Sequence, residues 1–332
     1  MATSFNSPRP STRSRLATGP EGYSRARLAA VVPLALVLAS GAVAQQVADT
    51  AFTPPILDPA YPAGTGPVVL IDEAHHNFHT AVGRFRPFAR LLERDGYVVR
   101  RGRSPFTRAL LDSVAILVVA NALGDTGPWV LPTRPAFSDA EVTAVRGWVE
   151  DGGGALLLIA DHMPFPGATE ALGRAFGVEF LNGFALEASG PGTGIVTHTR
   201  ADGALPSHPI AAGRTASERV DSVRVFTGQA FRLLGVGQPL LRLVTPMVVL
   251  LPDTAWRFNP NTPRVPGDGL LQGVALARGR GRVVVFGEAA MFTAQLAGAN
   301  RSPMGMNHPA APQNAQYALN VLHWLSGLLE PR

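Results

Sequence analysis

The chain has 332 residues, of which 46% are hydrophobic and 16% charged, a composition typical of globular proteins rather than of disordered or fibrous chains. It contains no cysteine and no lysine, which excludes a thiol nucleophile, a disulfide framework, a cysteine zinc site and a lysine Schiff base. The net charge is +5, but five of the arginines and one acidic residue lie in the first 44 residues, so the remaining chain is nearly neutral. A nearly neutral body argues against a broad nucleic-acid-binding face.

The first 44 residues have the three parts of a secretory signal peptide. An arginine-rich start precedes an apolar run over residues 28–39, and small residues follow as far as Ala44. The apolar run is shorter than the roughly 20 residues of a membrane-spanning helix, which favours a signal peptide over an uncleaved anchor. We therefore predict cleavage before Gln45, a periplasmic or extracellular protein with no stable membrane span after cleavage, and an extended, proline-rich linker over residues 45–66.

Buried strands alternate with helices in the next part of the chain. Apolar runs predict strands, and apolar residues at helical spacing predict helices. The predicted strands are residues 67–71, 97–100, 114–120, 155–160 and 178–180, and the predicted helices are residues 85–95, 138–151 and 167–176. The second of these helices begins with a capping box from Ser138 to Glu141.

Residues 185–270 interrupt this alternation, because they are rich in glycine, proline and threonine. We predict that they form an irregular, β-rich insertion attached to the same sheet. Regular elements then return: strands at residues 273–277 and 282–287, with a tight turn between them, and a helix at residues 314–329. Buried strands separated by helices predict one α/β domain over residues 67–330, with a mostly parallel, doubly wound sheet.

Polar residues gather directly after the predicted strands, at the edge where open α/β sheets bind ligands. Four of the eight histidines follow the first and third long strands, together with several carboxylates. The residues predicted to surround a reacting bond are Glu73, His76, Asp161, His162 and Glu288. The residues predicted to contact a ligand are Asp72, His75, Asn77, His79, Met291 and Asn307.

Histidines and carboxylates together support three kinds of chemistry. They can bind a divalent metal ion, act as general acid and base, or form a hydrogen-bonding cup for a polar ligand such as a sugar. The loop after the first predicted strand lacks the H-E-x-x-H helix motif of zinc enzymes, so the spacing of its histidines is not specific for a metal. A divalent metal is therefore one candidate, and the sequence identifies no cofactor with certainty. Individual side chains could instead be structural: Asp161 could cap the next helix, and Asp72 could hold its loop.

Five segments carry a resemblance to a known superfamily. They are VVLID, VAILVVANAL, SDAEVTAVRGWVEDGGGALLLIADH, SHPIAAGR and GRVVVFGEAAMF. Their order resembles the class I glutamine-amidotransferase-like superfamily, in particular uncharacterised bacterial domains related to the gliding-motility transporter component and to the ThuA-like group. The resemblance spans roughly residues 68–328 and implies a flavodoxin-like three-layer sandwich.

The resemblance does not imply amidotransferase activity. That activity needs a cysteine after the strand at residues 155–160, where this chain has Asp161 and His162. Two functions stay open: a non-thiol hydrolase or lyase on a polar, glycan-like substrate, and a non-catalytic module that binds a sugar or a peptide. The mixture of histidines and carboxylates favours the enzyme, whereas the lack of a nucleophile motif favours the binding module. The resemblance adds a third option, an accessory component of a transport system.

Overall fold

A nine-stranded mixed sheet is the centre of the computed structural model, which describes residues 46–189, 192–244 and 246–329. The predicted signal peptide, residues 1–44, lies outside the described residues. The strands in chain order are β1 (Val47–Ala48), β2 (Val68–Asp72), β3 (Val98–Gly102), β4 (Ile116–Ala120), β5 (Ala155–Ile159), β6 (Val178–Phe180), β7 (Phe184–Glu187), β8 (Thr197–Thr199), β9 (Ser222–Arg224), β10 (Phe231–Leu233), β11 (Gln238–Arg242), β12 (Met247–Leu250), β13 (Arg264–Pro266), β14 (Leu271–Arg278), β15 (Gly281–Phe286), β16 (Ala294–Ala297) and β17 (Ser302–Gly305).

Most helices lie between strands of this sheet. In chain order they are α1 (Arg86–Arg94), α2 (Arg108–Leu111), α3 (Asp139–Glu150), α4 (Phe165–Ala168), α5 (Glu170–Ala175), α6 (Pro209–Ala212) and α7 (Asn314–Leu325), with 3-10 helices at Ala216–Glu218 and Ala290–Phe292. The predicted capping box starts α3, because the Ser138 side chain accepts a hydrogen bond from the Glu141 backbone while the Glu141 side chain accepts one from the Ser138 backbone. Within the described ranges, no helix has the length and apolar character needed to cross a membrane.

The main sheet is not mostly parallel, which corrects the sequence prediction. Its order is β3-β2-β4-β5-β15-β14-β10-β6, and β11 also pairs with β14. The first five strands are parallel, but β14, β10, β6 and β11 join through antiparallel pairs. The physical reason lies in the turn between β14 and β15. A two-residue connection can only join antiparallel strands, since a parallel pair needs a crossover of a dozen or more residues.

Helices cover both faces of the parallel half of the sheet. On one face, Val69 of β2 belongs to a buried cluster with Phe88 of α1 and Leu322 of α7. On the other face, Leu156 of β5 belongs to a cluster with Trp148 of α3. Successive side chains along each strand point to opposite faces of the sheet and pack into these two cores. Since each core includes helix residues, the domain has a helix layer on each side of the sheet.

The β-rich insertion adds strands in three places. β10 and β11 extend the main sheet, β12 pairs with β7 and β13, and β8 pairs with β9. The segment at residues 46–66 lies on the domain surface, where β1 pairs with β16. Arg90 Nη1 donates to the Thr50 carbonyl at 2.8 Å, and Arg94 Nη1 donates to the Pro54 carbonyl at 2.7 Å.

Candidate functional site

Four adjacent parallel strands deliver polar residues to one edge of the sheet. Asp72 ends β2, Asn121 follows β4, Asp161 comes two residues after β5, and Glu288 comes two residues after β15. Because β2, β4, β5 and β15 are neighbours, these residues follow one another along the carboxyl edge. All four are buried.

His75 is held between two carboxylates. Its Nδ1–H donates to Asp72 Oδ2 at 2.9 Å, and its Nε2–H donates to Glu141 Oε1 at 2.8 Å. Since both ring nitrogens face carboxylates, the ring carries both protons and is cationic. Burial alone would lower the pKa of His75, but the hydrogen bonds and charges of Asp72 and Glu141 outweigh burial and raise the pKa.

Glu141 connects this histidine to the start of α3. Its carboxylate also accepts hydrogen bonds from Ser138 and from the Phe106 backbone. Burial would raise the pKa of Glu141, whereas these donors and His75 lower it to about 2. His75 therefore ties the loop after β2 to α3, and neither of its ring nitrogens is available to a ligand.

Two asparagines continue the hydrogen bonding along the edge. Asn77 Nδ2 donates to Asp72 Oδ2 at 2.9 Å, and Asn77 Oδ1 accepts from the His75 backbone at 3.1 Å. Asn121 Oδ1 accepts from the Asp161 backbone at 2.9 Å. The polar side chains at this edge thus fix one another, as a preorganised site requires.

Asp161 and Glu288 are buried carboxyl groups in the loops that follow the neighbouring strands β5 and β15. Burial raises the pKa of Asp161, and hydrogen bonds from the His162 and Ala289 backbone N–H groups oppose the rise. Burial also raises the pKa of Glu288 well above its ordinary value, and the charge of Asp161 raises it further. Two neighbouring buried carboxyl groups do not both ionise easily, because their negative charges would repel each other away from water. The pair therefore retains a proton at pH values where an exposed carboxyl group is ionised.

Both oxygens of the Glu288 carboxyl group accept hydrogen bonds from backbone N–H groups. Oε1 accepts from the Ala290 backbone at 2.9 Å and from the Phe226 backbone at 3.2 Å, and Oε2 accepts from the Met291 backbone at 2.8 Å. These donors oppose the rise in the pKa of Glu288. Because the side chain is fully buried, Glu288 holds the 3-10 helix and the insertion in place rather than facing a ligand.

Only one of the two ring nitrogens of His162 forms a hydrogen bond with the described residues. Nδ1–H donates to the Met163 carbonyl at 2.7 Å, which assigns the tautomer of the neutral ring. Nε2 is then an acceptor, and none of the described residues hydrogen-bonds to it. The ring is only half-buried. His162 is therefore placed to accept a hydrogen bond, or a proton, from a bound molecule.

Aromatic rings surround His162 and form a group that we call the aromatic cluster. Phe184 stacks on His162 with 4.8 Å between ring centroids, Trp256 contacts it edgewise at 4.6 Å, and Trp129 lies at 5.9 Å. The cluster consists of Trp129, His162, Phe165, Phe184, Trp256 and Phe258. It opens to solvent, since Trp256 is 52% exposed.

The two loops that carry the tryptophans are paired with each other. Leu131 N donates to the Asp253 carbonyl, and Ala255 N donates to the Trp129 carbonyl, both at 2.9 Å. One loop follows β4, and the other belongs to the β-rich insertion. The insertion therefore supplies one wall of the aromatic cluster.

Strained backbone marks the same edge. Of five non-glycine residues with a left-handed φ in the described ranges, four lie in the loops at this edge: His76 (45°), Asn121 (51°), Thr227 (92°) and Trp256 (64°). For a β-branched residue such as Thr227 this conformation is a clear outlier. Such strain costs on the order of 1–3 kcal/mol per residue and concentrates at functional sites.

Several predicted site residues serve other purposes. Glu73 pairs with Arg101 of the edge strand β3 at 2.7 Å, and His76 is exposed. Met291 is buried in the core, and Asn307 Nδ2 donates to Asp49 and to a backbone carbonyl. The residues predicted to surround one reacting bond are thus divided among separate networks, and only Asp161, His162 and Glu288 lie together.

His79 is part of the packing beneath the site. It is 3% exposed and stacks on Phe85 at 4.8 Å, and its Nδ1 has no hydrogen-bond partner among the residues that the structure describes. Burial, with the nearby charge of Arg84, lowers the pKa of His79 to about 3. The ring is therefore neutral and behaves as an aromatic side chain.

The described part of the chain offers no ligand set for a metal ion. No three histidine or acidic side chains within it are grouped as metal ligands would be. His75 is cationic, and the Glu288 oxygens already accept three hydrogen bonds. The geometry gives no support to the divalent metal that the sequence leaves as a candidate.

Sequence reasoning missed the two tryptophans and Glu141 as parts of this edge. Glu141 is recognisable as a helix cap, but its contact with His75 crosses 66 positions of the chain. Trp129 and Trp256 occur in irregular segments rich in proline, outside any helical or strand spacing. The sequence offered one signal for these tryptophans: a bulky aromatic residue within an irregular segment.

No family model and no curated protein matches the sequence. Among solved structures, the N-terminal domain of mmIFT52 is similar with a TM-score of 0.54 and 13% identity, over 78% of this chain and 97% of that one. A ThuA-like protein from Bacteroides uniformis has a TM-score of 0.45 and 12% identity, over 82% and 94% of the two chains. A cytoplasmic protein from Salmonella typhimurium has a TM-score of 0.44 and 12% identity, over 78% and 98%. The first of these similarities shows a shared mixed α/β fold, and none of them bears on activity.

Proposed function

We propose that the chain is an exported, non-catalytic binding protein whose aromatic cluster holds a glycan. The observation that carries the proposal is the exposed indole of Trp256 beside the available Nε2 of His162. An indole face offers apolar contact to the C–H face of a sugar ring, and Nε2 accepts a hydrogen bond from a ring hydroxyl. Apolar walls with a few fixed polar groups are typical of small-molecule sites.

The scaffold that we infer is that of the class I glutamine-amidotransferase-like superfamily, in its flavodoxin-like form. Asp161 and His162 stand where its amidotransferases need a cysteine, so the same edge serves another purpose here. A shared scaffold with a different site on top is common among such folds.

The buried carboxyl groups favour binding over hydrolysis. Glycoside hydrolysis ordinarily needs two carboxyl groups that flank the scissile bond and reach the substrate. Here Glu288 is fully buried and bound to three backbone N–H groups, and Asp161 is 7% exposed. These side chains support the loops beneath the cluster instead of lining an open cleft.

The test is the loss of glycan binding on removal of the exposed indole. Trp256→Ala should weaken binding to any glycan selected from an immobilised array by at least tenfold, which corresponds to about 1.4 kcal/mol. Isothermal titration calorimetry measures the affinity, because a fluorescence signal would be lost with the indole itself. Val236→Ala is the control, because Val236 is 87% exposed in the turn between β10 and β11 at the opposite edge of the sheet. Undiminished affinity of Trp256→Ala would contradict the proposal.

A hydrolase or lyase is a second candidate, favoured by one observation. The fixed tautomer leaves His162 Nε2 able to take a proton from a substrate hydroxyl, as a general base does. Mass spectrometry of each bound glycan after incubation distinguishes the candidates. Shortened or unsaturated products that disappear with His162→Gln would favour the enzyme.

A further inference from the structure

A cavity of about 430 Å³ adjoins the aromatic cluster, in the loop between β4 and α3. Trp129 and Pro164 line this loop cavity. Trp129 also contacts His162 and Phe165 of the aromatic cluster, at 5.9 and 5.2 Å between ring centroids. The loop cavity and the aromatic cluster therefore share a wall.

The lining of the loop cavity suits a ring with apolar faces and a polar edge. Its walls are largely proline, leucine and tryptophan side chains. Polar groups lie at the rim, where Arg134 and Asp125 form an ion pair at 3.0 Å with both side chains exposed. Sugar rings have this combination of C–H faces and hydroxyl edges, so the loop cavity matches the chemistry of the aromatic cluster.

Hydrogen bonds from three directions hold the loop cavity open. Leu131 N donates to the Asp253 carbonyl of the insertion at 2.9 Å, and Ala136 N donates to the Ala168 carbonyl at 2.8 Å. Thr133 Oγ1 accepts from Asn182 Nδ2 at 3.3 Å. A preformed cavity of this kind costs a ligand little ordering, and its volume lies in the range of small-molecule sites.

We infer that the ligand is an oligosaccharide of at least two units, with one ring on the aromatic cluster and the next in the loop cavity beyond Trp129. This inference rests on the proposed function, and it specifies the ligand class as a chain rather than a single sugar. Affinity should therefore rise with chain length until both subsites are filled.

The test blocks the loop cavity with a substitution at a residue outside the aromatic cluster. Gly127 lines the loop cavity, is exposed, and has a Cβ position whose nearest neighbour is the Asp125 carboxylate at 3.1 Å. Gly127→Phe places a ring there. The control is Gly235→Phe, since Gly235 is exposed in the turn between β10 and β11 with its nearest neighbour at 3.9 Å.

The probes are cello-, manno-, xylo- and chito-oligosaccharides of one to six units, titrated calorimetrically against each protein. We expect the wild type and Gly235→Phe to bind at least one series tenfold more tightly as the trimer than as the monomer. Gly127→Phe should reduce that ratio at least fivefold. If Gly127→Phe does not fold, Arg134→Trp closes the same loop cavity from its rim, where the arginine side chain is 78% exposed.

The outcomes separate the two claims. Equal affinity for monomer and trimer in the wild type, or an unchanged ratio in Gly127→Phe, would overturn the two-subsite inference while the proposed function stands. Absence of binding to all four series, with no effect of Trp256→Ala on any glycan, would overturn both.

Discussion

At the scale of single residues, the partners of a histidine decide what it can do. His75 donates from both ring nitrogens to carboxylates, so it is a fixed cation. His79 is enclosed by aromatic rings and stays neutral, whereas His162 has one ring nitrogen to which none of the described residues hydrogen-bonds. A sequence shows that these histidines follow strands, but it does not show which carboxylate or carbonyl each one meets.

The cationic state of His75 predicts a stability contribution with a defined pH dependence. His75→Gln leaves two carboxylates without their cation, and breaking such a pair costs about 3 kcal/mol of unfolding free energy. The folded pKa of His75 is above its ordinary value of 6.5, so the contribution is complete below pH 6.5 and is lost as the pH rises through the folded pKa. The folded pKa of Glu141 is about 2, below its ordinary 4.5, so its contribution is complete above pH 4.5 and is lost as the pH falls towards 2. The difference between wild type and variant should therefore be largest between pH 4.5 and 6.5, and smaller at pH 9.

Urea unfolding at pH 5.5 and pH 9 measures this difference. The control is His76→Asn, because His76 is exposed and asparagine tolerates its left-handed φ of 45°. That variant should change the unfolding free energy by less than about 0.5 kcal/mol. Similar losses in the two variants, or a His75 effect that grows with pH, would show that the paired cation does not stabilise the fold.

At the scale of secondary structure, apolar runs identified the central strands, but not all their directions. The strands predicted at residues 67–71, 114–120, 155–160 and 282–287 correspond to β2, β4, β5 and β15, which are parallel neighbours. The tight turn before β15 already required an antiparallel partner, and the prediction of a mostly parallel sheet overlooked it. The predicted helix at 167–176 is divided into α4 and α5 at Thr169, whose Oγ1 donates to the Phe165 carbonyl.

The turn between β14 and β15 requires glycine at position 279, and this requirement can be tested. The φ of Gly279 is +54°, and an added Cβ would collide with the Glu150 backbone of α3. Gly279→Ala should therefore lower the unfolding free energy by about 2 kcal/mol or more, since strain and a clash combine. Gly298→Ala is the matched control: the φ of Gly298 is +69°, but no atom of the described ranges lies within 4 Å of the added Cβ. This variant should lose only about 1 kcal/mol. Thermal unfolding compares the two, and equal losses would mean that the contact with α3 is unimportant.

At the scale of the whole molecule, the site joins parts of the chain that are far apart in sequence. Trp129 follows β4, while Trp256 lies in the insertion, and backbone hydrogen bonds connect their loops. Strand order predicted that Asp161 and Glu288 would meet, because parallel neighbours share an edge. The aromatic cluster was not predictable in the same way, since irregular loops have no periodicity to fix which of them touch.

The N-terminal segment connects the proposed export to this architecture. Cleavage between Ala44 and Gln45 would leave β1 able to pair with β16, and would leave the Asp49 backbone N–H able to donate to the Ala294 carbonyl. We therefore expect protein recovered from the periplasm or medium of an exporting host to begin at Gln45 by N-terminal sequencing. Replacing Ala42 and Ala44 by arginine should block cleavage, because the peptidase site requires small residues. Recovered protein that still carries residues 28–39 would contradict the signal peptide. A mature chain that starts beyond Asp49 would instead place the cleavage site inside a segment that the domain binds.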